Sequence, residues 1–239
     1  MAAHLLSAAI GFNERTEPQE TSRVPSDASL YLDFEVAPGP PEQAAAVLAA
    51  VLDWAPLATI LFRSPPEGAL DPAVARPLIR GAQEKGIAAL IIGPLKLATK
   101  LGADGIHLPW SRTVVQQFKE TRNLAPRDTI IGADAGRTRH DAMELGEAGA
   151  DYIAFGIPPD VEDLARAAAR QLELVSWWSE LFEVPCIAFN VPDAHTAQEL
   201  AQAGADFVTL ALRSTDPIPE ALSRVRAFSE AIKIHETAK

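Results

Sequence analysis

GADGIHL (residues 102–108), GADYIAF (149–155) and GADFVTL (204–210) are three versions of one motif, in which Gly-Ala-Asp opens a short apolar run. Each version follows a stretch with the spacing of an amphipathic helix, and the run after it has the length of a β-strand. Glycine adopts the left-handed conformation that ends many helices, and an aspartate side chain can hold the next turn. This repeated joint from helix to strand predicts consecutive βα units.

The same alternation continues on both sides of the motif. Eight short apolar runs are predicted strands, at 30–34, 57–62, 88–92, 105–108, 129–131, 152–155, 185–189 and 207–210. Helices are predicted between and after them, at 42–53, 72–85, 95–101, 112–122, 138–148, 161–181, 194–203 and 217–234. Eight strands alternating with eight helices predict a single (β/α)8 TIM barrel with short loops. An open doubly wound sheet is the alternative, but no glycine-rich phosphate fingerprint follows the first strand.

Length and composition describe a globular chain. Of 239 residues, 48% are hydrophobic and 22% are charged, which is ordinary for a packed domain. Residues 1–28 are polar and carry Pro18 and Pro25, so we predict a flexible N-terminal leader there. We predict that residues 29–239 form the barrel domain.

Charge and cysteine content narrow the class of protein. The net charge of −11 argues against nucleic-acid binding, which would require a basic patch. No apolar stretch approaches the roughly 18 residues of a membrane span. The one cysteine, Cys186, cannot form an internal disulfide, so a reducing cytoplasm is the predicted location. Trp177 and Trp178 are adjacent in a predicted helix and cannot both face the barrel, which suggests a homodimer contact.

The barrel prediction also says where a site should lie. Active sites of (β/α)8 barrels form at the carboxyl ends of the strands, whereas the motif aspartates Asp104, Asp151 and Asp206 precede their strands. We therefore predict that these aspartates stabilise turns at the amino-terminal face of the barrel, where residues contribute to stability, rather than binding a metal. The candidate site residues follow the strands instead: Arg63, His107, Trp110, Arg112, Asp134, Asn190 and Arg213.

Three ordered segments resemble the superfamily of thiamine phosphate synthases and thiazole tautomerases (TenI-like). LGADGIHL (101–108) is similar to the family's GADGVHLGQxD. IGAD (131–134) followed by AGADYIAFG (148–156) is similar to its IIGxS…GADYxxxGP, and PCIA (185–188) followed by AGAD (203–206) to its PVVAIGGI…AGADGVAV. The resemblance covers the barrel and implies a synthase that joins hydroxymethylpyrimidine diphosphate to a thiazole phosphate, using Mg²⁺.

The positions that this family uses for metal and phosphate are largely changed. His107 matches the family histidine and Arg63 the family arginine, but the two Mg²⁺-binding aspartates fall on Pro94 and Arg112. Further family residues are replaced as well: lysine by Pro65, glutamine by Trp110, serine by Asp134, the Thr/Thr/Lys cluster by 157–161, and Gly-Gly by Phe189-Asn190. We therefore predict no metal ligand in this chain, although the resemblance implies Mg²⁺ as a cofactor.

The candidate residues carry alternative roles. His107 and Asp134 are candidate catalytic residues, His107 as a general acid–base or, alternatively, as a structural histidine. Arg63 would bind an anionic ligand or pair with Asp134, and Arg112 could replace part of the metal charge. Trp110 would stack on a flat ring, or it would close the end of the barrel at the carboxyl ends of the strands, which we call the mouth. Asn190 and Arg213 are the other candidate ligand-binding residues, and Arg213 follows the eighth strand, where barrels often bind phosphate.

Three functions stay open at this stage. The chain is a thiamine phosphate synthase-type transferase with an altered site, a binding or regulatory protein that retains the barrel, or a metal-independent barrel enzyme. In each case the expected partner is a small anionic or heteroaromatic metabolite, and neither nucleic acid nor a membrane.

Overall fold

The computed structural model describes residues 28–158 and 161–233, and the predicted leader lies outside these ranges except for Ala28. The strands form one closed parallel barrel in chain order. They are β1 Ser29–Glu35, β2 Thr59–Arg63, β3 Ala88–Ile92, β4 Gly105–Leu108, β5 Ile130–Asp134, β6 Tyr152–Phe155, β7 Cys186–Ala188 and β8 Phe207–Arg213. The predicted (β/α)8 barrel is confirmed, and the doubly wound alternative is wrong.

Helices follow every strand on the outside of the barrel. They are α1 Pro41–Trp54, α2 Pro72–Glu84, α3 Leu95–Leu101, α4 Val114–Leu124, α5 Arg139–Glu147, α6 Leu164–Leu181, α7 Ala194–Gln202 and α8 Ile218–Ala231. No helix within 28–158 or 161–233 is long and apolar enough to cross a membrane. Asp193 caps α7 as expected, because its carboxylate accepts the Thr196 amide hydrogen at 2.8 Å.

The sequence misplaced several element ends. β5 was predicted at 129–131 but reaches Asp134, because pairing with β6 continues to Asp134 opposite Ala154 after the apolar pattern has stopped. β8 likewise reaches Arg213 through its pairing with β1. α6 was predicted to begin at 161 but begins at Leu164, since the Asp163 side chain caps it.

Two apolar layers hold the barrel. Alternate residues of each strand point inward, and the inward ones pack as one cluster that includes Tyr31, Leu61, Leu90, Tyr152 and Phe207. The outward residues join the helices in a larger core. The interior is therefore filled with side chains, and ligands can reach only its ends.

The motif aspartates join neighbouring strands at the amino-terminal end of the barrel. Each forms two hydrogen bonds, one through its amide and one through its carboxylate, with a single residue of the preceding strand, and we call this pair of bonds a clamp. The Asp104 amide donates to the Ala89 carbonyl at 2.9 Å, and the Asp104 carboxylate accepts the Ala89 amide hydrogen at 2.8 Å. Asp151 pairs in the same two-way manner with Ile131, and Asp206 with Cys186. The aspartates before β4, β6 and β8 thus each bind the strand that precedes theirs.

The structure therefore supports the interpretation of these aspartates as stability residues. The motif glycine Gly102 has φ of 75°, a left-handed conformation that lets the chain leave α3 and turn into the clamp. Before β2 the clamp is incomplete, because Ala58 offers only its backbone amide to the Leu30 carbonyl.

Candidate functional site

A salt-bridge cluster occupies the β8–β1–β2 side of the mouth. The Arg63 guanidinium donates to Asp33 Oδ1 at 2.7 Å and to Glu35 Oε2 at 2.5 Å. Arg213 approaches Glu35 Oε1 at 3.6 Å from the end of β8. Burial raises the pKa of Asp33 above its usual range, although Arg63 opposes this effect. We call Asp33, Glu35, Arg63 and Arg213 the charged cluster.

The charged cluster identifies the ion-pair partners of Arg63. The predicted alternative pairing with Asp134 is wrong, because Arg63 lies on β2 and is bonded to two carboxylates of the adjacent strand β1. These carboxylates neutralise Arg63 and leave little free positive charge for a ligand. An anion could bind Arg63 strongly only by displacing Asp33 or Glu35.

Sequence reasoning missed Asp33 as a site residue. The signal was present in SLYLDFE (29–35), where Leu30, Leu32 and Phe34 alternate with a second set of residues. That second set consists of Tyr31, Asp33 and Glu35, and the period of two places all three on the inward face. A carboxylate facing inward near the carboxyl end of a barrel strand is a candidate site residue.

A buried hydrogen-bond chain lies below the mouth. His107 Nδ1 is 3.0 Å from the Tyr152 hydroxyl, which is 3.1 Å from the Tyr31 hydroxyl. The imidazole also stacks against the rings of Phe189 and Tyr152, at centroid distances of 5.0 and 5.8 Å. Burial lowers the pKa of His107 to about 3, so the ring is neutral at physiological pH.

The unpaired atoms indicate which groups donate in the hydrogen bonds that join Tyr31, Tyr152 and His107. His107 Nε2 is buried and has no hydrogen-bond partner among the described residues. If Nδ1 carried the proton, both Nε2 and the Tyr31 hydroxyl hydrogen would be unpaired. If Tyr31 donates to Tyr152 and Tyr152 donates to Nδ1, only the Nε2 hydrogen is unpaired. The second order leaves fewer buried groups unsatisfied. The catalytic role of His107 stays a prediction.

Asp134 and Asn190 meet on the β5–β7 side of the mouth. The Asp134 carboxylate accepts the Gly136 amide hydrogen at 2.7 Å. Burial raises the pKa of Asp134 to about 6, although the amides of Gly136 and Gly156 oppose the shift. A Cβ on Gly156 would lie 2.7 Å from Asp134 Oδ2 and 3.5 Å from Asn190 Nδ2, so this glycine gives both side chains room to converge. Asn190, at φ of 57°, donates to the Ile157 carbonyl at 3.0 Å.

The remaining candidates, Trp110 and Arg112, differ in their distance from Asp134. Trp110 is 44% exposed, and its ring covers the left-handed Gly136, where a Cβ would come within 2.3 Å of the indole. Trp110 thus belongs to the same rim as Asp134. Arg112 lies apart, exposed in a groove between α4 and α5 with Lys119 and Glu144. Its predicted role in binding phosphate stays a prediction.

Mg²⁺ does not fit the residues present. Pro94 and Arg112 offer no carboxylate at the two expected ligand positions. Asp33 and Glu35 are both bonded to Arg63. Across 28–158 and 161–233, no three His, Cys, Asp or Glu side chains are grouped so that they could hold a metal ion.

Comparison with known proteins identifies the family. A family model described as thiamine monophosphate synthase matches residues 40–212. The chain belongs to the thiamine monophosphate synthase family. Among its relatives, the thiamine-phosphate synthase of Rhodospirillum centenum is 36% identical over 191 residues, covering 77% of this chain and 88% of that protein. The thiamine-phosphate synthase of Erythrobacter litoralis is 38% identical over 161 residues, covering 66% and 73%.

Solved structures agree on the architecture of the family. The thiamine phosphate pyrophosphorylase from Pyrococcus furiosus superposes with a TM-score of 0.65, covering 86% of this chain and 96% of that one. At 18% sequence identity this likeness shows the fold alone. The resemblance inferred from the three sequence segments is confirmed at the level of the family.

Proposed function

We propose that this member of the thiamine monophosphate synthase family binds a heteroaromatic small molecule with N–H donors at its barrel mouth. We propose further that it does not carry out a Mg²⁺-dependent displacement of diphosphate. One observation carries the proposal: the mouth offers a desolvated carboxylate, Asp134, while the guanidinium of Arg63 is already neutralised. An aminopyrimidine suits the carboxylate, because its amino group donates hydrogen bonds and its ring is flat.

The chemistry of diphosphate release supports the second part. A leaving diphosphate needs cations or a metal to stabilise its developing charge. Here the family lysine is Pro65, both metal carboxylates are absent, and Arg63 is held by Asp33 and Glu35. A cytoplasmic location rests on the single cysteine and remains part of the proposal.

Calorimetric titration with hydroxymethylpyrimidine tests the binding step. Wild-type protein should bind it, and Asp134→Asn should bind about tenfold more weakly, since a hydrogen bond to a charged acceptor is lost. Asp128→Asn, at an exposed position away from the mouth, is the matched control and should bind as wild type does. Equal affinity of the wild-type protein and Asp134→Asn would overturn the assigned site.

The joining reaction itself is the second candidate, favoured by 36% identity to a thiamine-phosphate synthase over most of both chains. Purified protein is incubated with hydroxymethylpyrimidine diphosphate, thiazole phosphate and Mg²⁺, and thiamine phosphate is measured by chromatography. We expect no turnover. Product that forms at the rate of an active synthase assayed alongside would replace the binding proposal with this one.

A further inference from the structure

A buried glutamine interrupts the apolar face of α6. The other buried residues of this helix are Ala167, Leu174, Val175 and Trp178. Gln171 lies among them with 3% of its surface exposed. Burying a side-chain amide is costly unless the amide forms hydrogen bonds, so this position requires specific partners.

Gln171 joins the ends of two neighbouring strands at the mouth. Its Nε2 donates to the Phe155 carbonyl at 2.7 Å and to the Phe189 carbonyl at 2.7 Å. Phe155 is the last residue of β6, and Phe189 directly follows β7. The reverse orientation of the side-chain amide would place its oxygen against two carbonyl oxygens, so the partners identify the nitrogen. Both N–H groups of Gln171 therefore hold strand ends.

The other end of the same amide carries a cost. Gln171 Oε1 is buried and has no hydrogen-bond partner within 28–158 and 161–233. An apolar side chain of similar size would fill this face of α6 without leaving an acceptor unpaired. Packing alone thus does not account for Gln171, whereas holding the two carbonyls does.

The first carbonyl belongs to a peptide unit that leads to Asp134. The Phe155 carbonyl shares its plane with the Gly156 amide, and a Cβ on Gly156 would lie 2.7 Å from Asp134 Oδ2. Burial raises the pKa of Asp134, and the Gly156 amide opposes this rise because it stabilises the charged carboxylate. Since the peptide unit is planar, fixing its carbonyl also fixes the direction of its amide.

The second carbonyl leads to Asn190. The Phe189 carbonyl lies in the peptide unit that joins Phe189 to Asn190, whose φ of 57° is left-handed. A residue with a Cβ keeps this conformation where its surroundings hold it. The Gln171 amide holds the peptide unit on one side of Asn190, and the Ile157 carbonyl accepts the Asn190 side chain at 3.0 Å on the other.

We propose that Gln171 is a positioning residue of the mouth, which fixes the Gly156 amide and Asn190 beside Asp134 by holding the carbonyls of Phe155 and Phe189. Its effect on ligand binding rests on the proposed function. Its effect on the carboxyl group of Asp134 in the ligand-free protein does not, so the two can be tested separately.

Gln171→Met tests the proposal, because methionine keeps the length of the side chain and removes both donors. Carbon-13 NMR of the ligand-free variant should show a pKa of Asp134 above that of wild type, since the Gly156 amide is no longer fixed against the carboxylate. Calorimetric titration with hydroxymethylpyrimidine should show binding about tenfold weaker. A pKa of Asp134 equal to or below that of wild type would overturn the proposal.

A second measurement needs no variant. In the wild-type protein, the side-chain amide resonances of Gln171 should shift as Asp134 titrates, because the peptide unit between Phe155 and Gly156 connects the two groups. Asp134→Asn identifies the titration and should abolish the shift. Gln171 resonances that stay constant through the titration of Asp134 would contradict the connection.

The matched control is Trp178→Phe on the same helix. Trp178 is also buried, and its indole donates to the Val184 carbonyl at 2.7 Å, but Val184 precedes β7 at the opposite end of the barrel. This variant should lower the melting temperature and leave both the pKa of Asp134 and ligand binding as in wild type. If Gln171→Met behaves in the same way, its role is structural only and the proposal is wrong. Absence of hydroxymethylpyrimidine binding in the wild type would overturn the proposed function, while the pKa comparison would still decide the role of Gln171.

Discussion

At the scale of single residues, Asp134 is a carboxyl group in a buried environment that disfavours its charged form. This chain has a carboxylate at the end of β5, with 8% of its surface exposed. A buried carboxylate is stabilised by neutralisation, which explains why burial raises its pKa to about 6. The same environment gives Asp134 a measurable effect on stability.

Asp134→Asn should change how stability depends on pH. The folded-state pKa lies above the unfolded value of 3.8, so the folded protein binds this proton more tightly. The contribution of Asp134 to stability is therefore present below pH 3.8 and is lost as the pH rises through about 6. Relative to wild type, the free energy of unfolding of Asp134→Asn should increase by about 2 to 3 kcal/mol between pH 4 and pH 7.

Urea unfolding at both pH values measures this difference. The amide contacts that asparagine cannot make add an offset that does not vary with pH, so only the change with pH is diagnostic. Asp128→Asn, at the exposed control position, should keep the wild-type pH dependence. A free-energy difference between Asp134→Asn and wild type that stays constant from pH 4 to pH 7 would contradict the prediction.

Residue types along the strand ends predicted part of the site. Arg63, Asp134, Asn190 and Arg213 do lie at the mouth, because the carboxyl ends of all strands meet there. Their partners could not be predicted from type alone. Arg63 bonds Asp33 because β1 and β2 are in register, with Glu35 opposite Arg63, and single-sequence reasoning does not provide that register.

At the scale of elements, the Gly-Ala-Asp motif predicted the fold because each of its residues has a local task. The glycine ends a helix, and the aspartate binds both backbone groups of one residue on the preceding strand. Element ends were less predictable. β5 continues through Gly132 and Ala133 to Asp134, and β8 continues through Ala211 and Leu212 to Arg213, because pairing with the neighbouring strands continues there. The polar residue that ends each strand carries no apolar signal in the sequence.

Replacing a clamp aspartate should lower stability without changing ligand binding. Asp104→Ala leaves the buried Ala89 amide without its carboxylate acceptor, and a loss of about 1 to 3 kcal/mol in the free energy of unfolding is expected. Asp151→Ala should cost at least as much, since Asp151 also bonds Arg122 at 2.8 Å. Chemical unfolding measures the cost.

Titration with hydroxymethylpyrimidine is the companion measurement for these clamp variants. Both should bind as wild type does, because the clamps lie at the end of the barrel opposite the mouth. The exposed Asp128→Asn should cost almost nothing in stability. Clamp variants as stable as wild type would show that the carboxylates are dispensable for the joint.

At the scale of the whole molecule, the homodimer is a separate prediction. Trp178 is fully buried, and Trp177 is half-buried with the Arg139 guanidinium 4.8 Å above its ring. Arg139 and Phe182 thus already contact the residue that suggested a dimer contact. If a homodimer forms, we expect it to use another surface.

Sedimentation of wild type and Trp177→Ala tests this expectation. The two proteins should show the same mass in solution, because Arg139 and Phe182 already contact the Trp177 ring. Arg139→Gln is the companion variant, since it uncovers the same ring without removing it. A dimer that dissociates specifically in Trp177→Ala would restore the tryptophan pair as the contact.

The incomplete clamp before β2 has a consequence for how the barrel opens. The seam between β1 and β2 lacks a carboxylate at its base and is joined instead by the ion pairs of Arg63 at the mouth. The seams before β4, β6 and β8 each have one more hydrogen bond at this end, from the carboxylate of a motif aspartate. Near neutral pH, amide hydrogens at the start of β2 should therefore exchange with solvent before those at the start of β4, β6 and β8. The first strand of the barrel would then separate from its neighbour more readily than the clamped strands separate from theirs.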